Sequence, residues 1–209
     1  MADKPYRSLL GAVMWGQLAT RPDLSFSVSL LACFQSNPGL DHWNALLHTV
    51  GYIKNTLDFR LSYSREYDLS PHAYVDADYG GFRDTRRSTS GYIFIMCGGP
   101  VAWSSKQQAT IALSTVKAEY VAMSRCAQQM VWMHSWLREV KVDYIIPRVI
   151  KVTTGARLLY RKIPKNMVKS NILLRFFFLM LTISLFSSMD NAPLVPKRFR
   201  SMPLHASSS

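Results

Sequence analysis

The chain is poor in cysteine, and the few it has exclude two kinds of protein. Its three cysteines, Cys33, Cys97 and Cys126, lie far apart, and none has a second Cys or a His at the spacing of a zinc finger. A disulfide-stapled scaffold and a zinc finger are therefore not expected, and the thiols are predicted to be reduced. The chain also lacks an apolar run behind a basic start, which predicts an intracellular protein, cytoplasmic or nuclear, and not a secreted one.

Long apolar runs are scarce as well. The one membrane-like stretch extends from Phe176 to Phe186 and is about half the ~20 residues that a spanning helix needs. Widening it to 172–186 places Arg175 inside it. A buried segment is therefore expected in place of a membrane span, with membrane association as the alternative.

Acidic residues are few, and their shortage is uneven. The chain has 13 Asp and Glu against 25 Lys and Arg, a formal net charge of +12. Residues 1–141 hold 14 basic and 11 acidic side chains, whereas residues 142–209 hold 11 basic and 2 acidic ones. A basic surface attracts polyanions such as nucleic acid. Because the excess lies in an aperiodic final third, residues 142–209 are predicted to be a divergent, poorly ordered basic tail.

The first part of the chain has the apolar spacing of three helices. Apolar residues recur at intervals of three and four from Tyr6 to Leu18, Pro22 suits the first turn of a second helix, and Asp41 is a plausible N-cap for a third. Residues 5–60 are therefore predicted to form a small helical unit.

After Leu61 the apolar period changes to that of strands. The sequence AYVDADYGG reads as a strand with Tyr74, Asp76 and Asp78 on one face. Further strands are predicted at Tyr92–Cys97, Val101–Ser105 and Ala109–Leu113, followed by a long helix over 115–139 capped by Ser114. A strand over Ile145–Thr153 is also possible, although Pro147 argues against a central position.

Three ordered motifs carry a resemblance to a known family. They are YRSLLGAVMWGQLATRPDLSFSVSLLACFQSNP, YVDADYGG and RRSTSGYIFIMCGGPVAWSSKQQATIALSTVKAEYVAM, which span about Tyr6 to Val140. They resemble the end of the reverse transcriptase and the ribonuclease H region of copia-type retrotransposon Pol polyproteins. The resemblance implies an α/β fold, an incomplete ribonuclease H-like mixed sheet with a long helix over residues 70–141, preceded by the helical end of the reverse transcriptase.

The resemblance also implies a metal site and a substrate. The family cleaves the RNA strand of RNA–DNA hybrids with Mg²⁺, a hard ion that prefers carboxylate oxygens. By position in the motifs, Asp76 and Glu119 match catalytic metal ligands, whereas Asp78 is not counted as one. The alternatives are a solvated aspartate near a strand end and a glutamate that benefits from the helix dipole.

A basic loop follows the first strand and would suit the phosphates of a hybrid, with a simply solvated loop as the alternative. Its basic residues are Arg83, Arg86 and Arg87. Trp103 is expected in the core and not as a platform for stacked bases.

The sequence departs from the family after Lys141. The Cys-Asp-Asn and His-Ile-Asp segments that supply the remaining family ligands do not occur there, where Asp143 and Asp190 are the acids. Two carboxylates do not hold two Mg²⁺ ions well against water, so a degenerate copy with impaired catalysis is predicted. A non-enzymatic remnant with weak, charge-driven nucleic-acid binding, or with no selected function, is the alternative.

Overall fold

The computed structural model describes residues 3–67, 69–142 and 150–152 of the 209-residue chain. Within these ranges the chain forms four α-helices and one four-stranded sheet. The helices are α1 (Tyr6–Ala19), α2 (Ser25–Ala32), α3 (Leu40–Lys54) and α4 (Thr115–Glu139), and the strands are β1 (His72–Asp78), β2 (Thr89–Met96), β3 (Gly99–Gln107) and β4 (Ile150–Val152). The predicted α/β class is confirmed.

The first three helices form the expected helical unit around one apolar cluster. Its buried members are Tyr6, Leu10, Val13, Leu24, Val28, Leu31 and Leu46. Pro22 begins a single 3-10 turn that leads directly into α2, as its fixed φ favours. The N-cap prediction for Asp41 is wrong. The N-cap of α3 is Gly39, whose N–H donates to Nδ1 of His42 at 2.8 Å, and Asp41 lies within the first turn.

The strands follow the order β3-β2-β1-β4. β2 pairs antiparallel with both β1 and β3, and β4 pairs parallel with β1 at the sheet edge. The predicted strand at Ala109–Leu113 is wrong, because the chain leaves the sheet after Gln107. There the N–H of Gln108 donates to the carbonyl of Ser88 at 2.8 Å, and a bend leads into α4.

Helix α4 covers one face of the sheet with small side chains that allow close approach. Its buried residues Ala122, Cys126, Met133 and Leu137 cluster with Ala73, Val75 and Phe94. Burial raises the pKa of the Cys126 thiol to about 12, as expected for a core cysteine that stays protonated. The predicted cap is confirmed, since Oγ of Ser114 accepts the N–H of Lys117 at 3.2 Å.

The helical unit packs directly against the sheet. Nε1 of Trp103 on β3 donates to the carbonyl of Gln17 on α1 at 3.2 Å. The rings of Phe34 and Phe82 stack with centroids 5.7 Å apart, which joins the end of α2 to the loop after β1. Trp103 is half-buried at this contact, so its ring packs between the two units.

A short part of the predicted basic tail belongs to the sheet, because β4 lies within residues 142–209. Residues 153–209, including the apolar stretch 172–186, lie outside the described residues. In the described ranges no helix is both long enough and apolar enough to cross a membrane.

Candidate metal and nucleic-acid site

Asp76 lies near the carboxyl end of β1, opposite Gly91 of β2. Its neighbours Val75 and Ala77 pack in the cluster beneath α4, so the alternation of the strand assigns Asp76 to the other face. The side chain is half-buried, and its Oδ1 accepts the N–H of Ala77 at 2.8 Å. This bond holds the carboxylate close to the backbone at the point where β1 ends.

The Asp76 carboxyl is strongly perturbed by its surroundings. Its pKa is raised from the usual 3.8 to about 7, chiefly by burial and also by the negative charges of Glu119 and Asp78, while the hydrogen bond from Ala77 acts in the opposite direction. Glu119 on α4 is therefore within electrostatic range of Asp76. The charges of both Glu119 and Asp78 thus act on Asp76.

Glu119 lies just after the first turn of α4 and is half-buried. It follows Ala118, which is fully buried against the sheet, and precedes the exposed Tyr120. A carboxylate near a helix N-terminus is stabilised by the helix dipole, so its position alone does not require a metal ion. What distinguishes Glu119 from an ordinary helix carboxylate is its charge effect on Asp76.

Asp78 is folded against the loop that follows β1. A Cβ atom at Gly81 would collide with Oδ2 of Asp78, so only glycine lets the carboxylate occupy this place. Among the residues that the structure describes, no three His, Cys, Asp or Glu side chains are grouped closely enough to hold a metal ion. Asp78 thus acts on Asp76 through its charge.

The residues present suit one divalent cation better than two. A carboxyl whose pKa is raised by burial and by neighbouring negative charges is stabilised as an anion when a cation arrives. The oxygens of Asp76 and Glu119 are the hard ligands that Mg²⁺ prefers. Two such ligands leave most of the coordination sphere of one ion to water, and they are too few for a pair of ions.

The three predicted arginines lie on the loop over residues 79–88, which joins β1 to β2. This loop is ordered by backbone bonds, since the N–H of Arg86 donates to Phe82 at 2.7 Å and the N–H of Phe82 donates to Arg87 at 3.1 Å. Arg83 and Arg86 are exposed and Arg87 is half-buried. Because the loop begins where β1 ends, the arginines follow directly after Asp76 and Asp78 along the chain.

The sequence did not reveal the part played by Gln108, which falls between the predicted strands Val101–Ser105 and Ala109–Leu113. Gln108 is fully buried, and its Nε2 donates to Oγ of Ser90 and to the carbonyl of Ala118, both at 2.9 Å. Gln108 therefore joins β2, which pairs with the strand that carries Asp76, to the turn of α4 that carries Glu119. The only available signal was a polar residue inside the SSKQQ motif, where a solvated turn is the ordinary expectation.

Comparisons with known proteins place these elements in a family, although no family model matches the chain and no solved structure matches it. The chain is 37% identical over 149 residues to the retrovirus-related Pol polyprotein from transposon TNT 1-94 of Nicotiana tabacum. It is 37% identical over 145 residues to the Pol polyprotein from transposon RE2 of Arabidopsis thaliana. The matches cover 70% and 69% of the chain but only 11% and 10% of those polyproteins, so the chain spans about a tenth of their length.

A shorter relative is matched over nearly its whole length. The chain is 41% identical over 141 residues to secreted RxLR effector protein 161 of Plasmopara viticola. This match covers 68% of the chain and 99% of the effector. Each of these three matches thus covers about two thirds of the chain.

Proposed function

We propose that residues 70–141 of this chain, which derives from a region of retrotransposon Pol polyproteins, are a ribonuclease H-type unit with an impaired metal site. Asp76 and Glu119 are its metal ligands, and RNA–DNA hybrids are its substrate class. The observation that carries the proposal is that β1, which bears the half-buried Asp76, packs against α4, which bears Glu119. The charge of Glu119 contributes to the raised pKa of Asp76. Carboxyls with perturbed pKa values are frequent at functional sites.

The role of each group follows from its place. A bound Mg²⁺ would activate the attacking water and stabilise the leaving oxygen. Asp76 and Glu119 would supply its protein oxygens, and the loop arginines would hold phosphates of the hybrid backbone. Because the described residues contain no group of three potential metal ligands, affinity for the ion and the cleavage rate are both expected to be low.

Cleavage of a labelled RNA–DNA hybrid tests the catalytic proposal. We expect slow cutting by the full-length protein in Mg²⁺ or Mn²⁺, and no cutting by the double variant Asp76→Asn/Glu119→Gln. The variant Asp84→Asn is the matched control, because it removes one exposed carboxylate from the loop after β1. If the wild-type protein cuts no faster than the double variant, the catalytic part of the proposal is wrong.

The second candidate is nucleic-acid binding without catalysis. It is favoured by the net charge of +12 and by the exposed arginines Arg83 and Arg86. Such binding is driven by release of counterions, so its affinity should fall steeply with salt and should not depend on base sequence. Affinity that survives high salt, or that differs between unrelated sequences, would contradict it.

Both candidates require a location where the protein meets nucleic acid. We therefore place the protein in the cytoplasm or nucleus, whereas one relative is by its name a secreted effector. Fractionation of cells that express the full chain tests this assignment. Recovery of the protein from the medium, or from membranes by way of residues 172–186, would overturn it.

A further inference from the structure

Gln108 connects two elements that have no backbone hydrogen bond between them. It lies directly after β3, only 1% exposed, and one side-chain nitrogen bonds both to β2 and to α4. The acceptors are Oγ of Ser90 and the carbonyl of Ala118, each 2.9 Å from Nε2. Its backbone is fixed as well, because the N–H of Gln108 donates to the carbonyl of Ser88 at 2.8 Å.

Both acceptors are next to the candidate metal ligands. Ser90 is opposite Ala77 in the β1–β2 ladder, and Ala77 is the residue whose N–H bonds to Asp76. Ala118 immediately precedes Glu119 on α4. The Gln108 amide therefore lies between the backbone that carries one carboxylate and the backbone that carries the other.

The rest of the contact near Glu119 gives little control over its position. Ala118 and Ala122 pack on the sheet through small apolar surfaces, and apolar packing is not directional. A hydrogen bond requires a defined distance and angle. A directional contact of this kind adds to the packing of α4 in opposing a small sliding of the helix along the sheet.

The side-chain oxygen of Gln108, Oε1, does not join the two elements. Its Oε1 is buried and has no hydrogen-bond partner among the described residues. Burying an unpaired carbonyl oxygen lowers stability. The donors of the amide, and not its acceptor, thus distinguish this residue from an apolar side chain of equal length.

We propose that Gln108 is a positioning residue that sets the separation between the Asp76 and Glu119 carboxylates. The proposal deepens the proposed function, on which its biological meaning rests, but the separation itself is measurable without metal or substrate. The Gln108 bridge joins Ser90, which is opposite Ala77 in the ladder, to Ala118, so each of its two ends lies one residue along the backbone from, or directly across from the neighbour of, a candidate ligand.

The test is the coupling free energy between the two carboxylates, with and without Gln108. Urea unfolding of the full-length protein at about pH 8 is measured for the wild type, Asp76→Asn, Glu119→Gln and the double variant, a cycle that isolates the repulsion of the pair. The cycle is then repeated in Gln108→Met, which keeps the length of the side chain and removes its donors. We expect the coupling to fall by at least half.

Gln107→Met is the matched control. Gln107 is the same residue type at the adjacent position, but it lines a small cavity against α2 with Phe26 and Phe82. The variant Gln107→Met should leave the coupling free energy between Asp76 and Glu119 unchanged. A residue that only stabilises the fold would lower the overall stability in Gln108→Met and leave the coupling as in the wild type.

An unchanged coupling in Gln108→Met overturns the proposal, and so does the absence of any coupling in the wild type. If Gln108→Met does not fold, Ser90→Ala removes one of the two acceptors, and a smaller fall of the coupling is expected. An unchanged coupling in Ser90→Ala then overturns the proposal. Failure of the proposed function has a different signature, since the protein would neither cut nor bind hybrids while the coupling still depended on Gln108.

Discussion

Replacing Asp76 by asparagine is expected to stabilise the protein at neutral and alkaline pH. The pKa of Asp76 is raised from 3.8 to about 7 by burial and by the charges of Glu119 and Asp78, so the folded state prefers the protonated acid. At pH values between 3.8 and about 7, the folded protein therefore keeps a proton on Asp76 that the unfolded chain has lost. This contribution to stability is fully present below about pH 3.8 and is lost as the pH rises towards 7.

The size of the effect follows from the shift. At about 1.36 kcal/mol for each pKa unit, the rise from 3.8 to about 7 corresponds to at most about 4 kcal/mol. Water at this half-buried site screens the charges, so a gain of about 2 kcal/mol is the working expectation. Asparagine retains an oxygen that accepts the N–H of Ala77, and the hydrogen bond at 2.8 Å is expected to remain.

Urea unfolding of wild type and Asp76→Asn between about pH 5 and pH 8 measures this directly. The free energy of unfolding of the wild type should fall relative to that of the variant as the pH rises, and the difference should level off near pH 8. Asp84→Asn, an exposed charge removal in the loop after β1, should follow the wild type. Parallel curves for wild type and Asp76→Asn would refute the reasoning, because they would mean that the carboxyl is not perturbed by folding.

Three further predictions concern the fold and the basic loop. Asp23→Ala should destabilise the protein by about 3–5 kcal/mol in urea unfolding, because it leaves the buried guanidinium of Arg21 without its ion-pair partner at 2.9 Å; a loss under about 1 kcal/mol would contradict this. Gly81→Ala should lower the free energy of unfolding by about 1–3 kcal/mol, since its Cβ collides with the Asp78 carboxylate. Gly11→Ala, with nothing within 4 Å in helix α1, is the control and should add up to about 1 kcal/mol. Replacing the loop arginines Arg83, Arg86 and Arg87 by glutamine should weaken the salt dependence of hybrid binding. The slope of log binding constant against log salt concentration should become shallower by about 3, and an unchanged slope would exclude the loop from binding.

The elements that the sequence predicted correctly are those with a strong local period or a local cap. The spacing of apolar residues located α1, and Ser114 with the apolar positions after it located α4 from end to end. The N-cap of α3 was not predicted correctly because Gly39 has no side chain, and the capping contact comes from the imidazole of His42. Local propensity also suggested a strand at Ala109–Leu113, where tertiary hydrogen bonds at Gln108 direct the chain out of the sheet.

The charged members of the candidate site were proposed from the sequence, whereas its supporting contacts were not. Asp76 and Glu119 followed from the resemblance, which fixed their positions in ordered motifs. The role of Gln108 depends on Ser90 and Ala118 meeting in space, 18 and 10 residues away along the chain. No pattern within one segment contains that information, because it arises only when the helix packs on the sheet.

The contact between Trp103 and the carbonyl of Gln17 joins residues 86 positions apart, and this has a consequence during synthesis. The helical unit leaves the ribosome first and can bury its own apolar cluster before the strands emerge. Strand β3 then meets the surface of the helical unit, which is already formed. The hairpin of β2 and β3 can dock there while α4 is still being synthesised. Slower translation between residues 60 and 107 should therefore favour correct folding, and a transposition event that separates the two segments would leave the sheet without the surface on which it assembles.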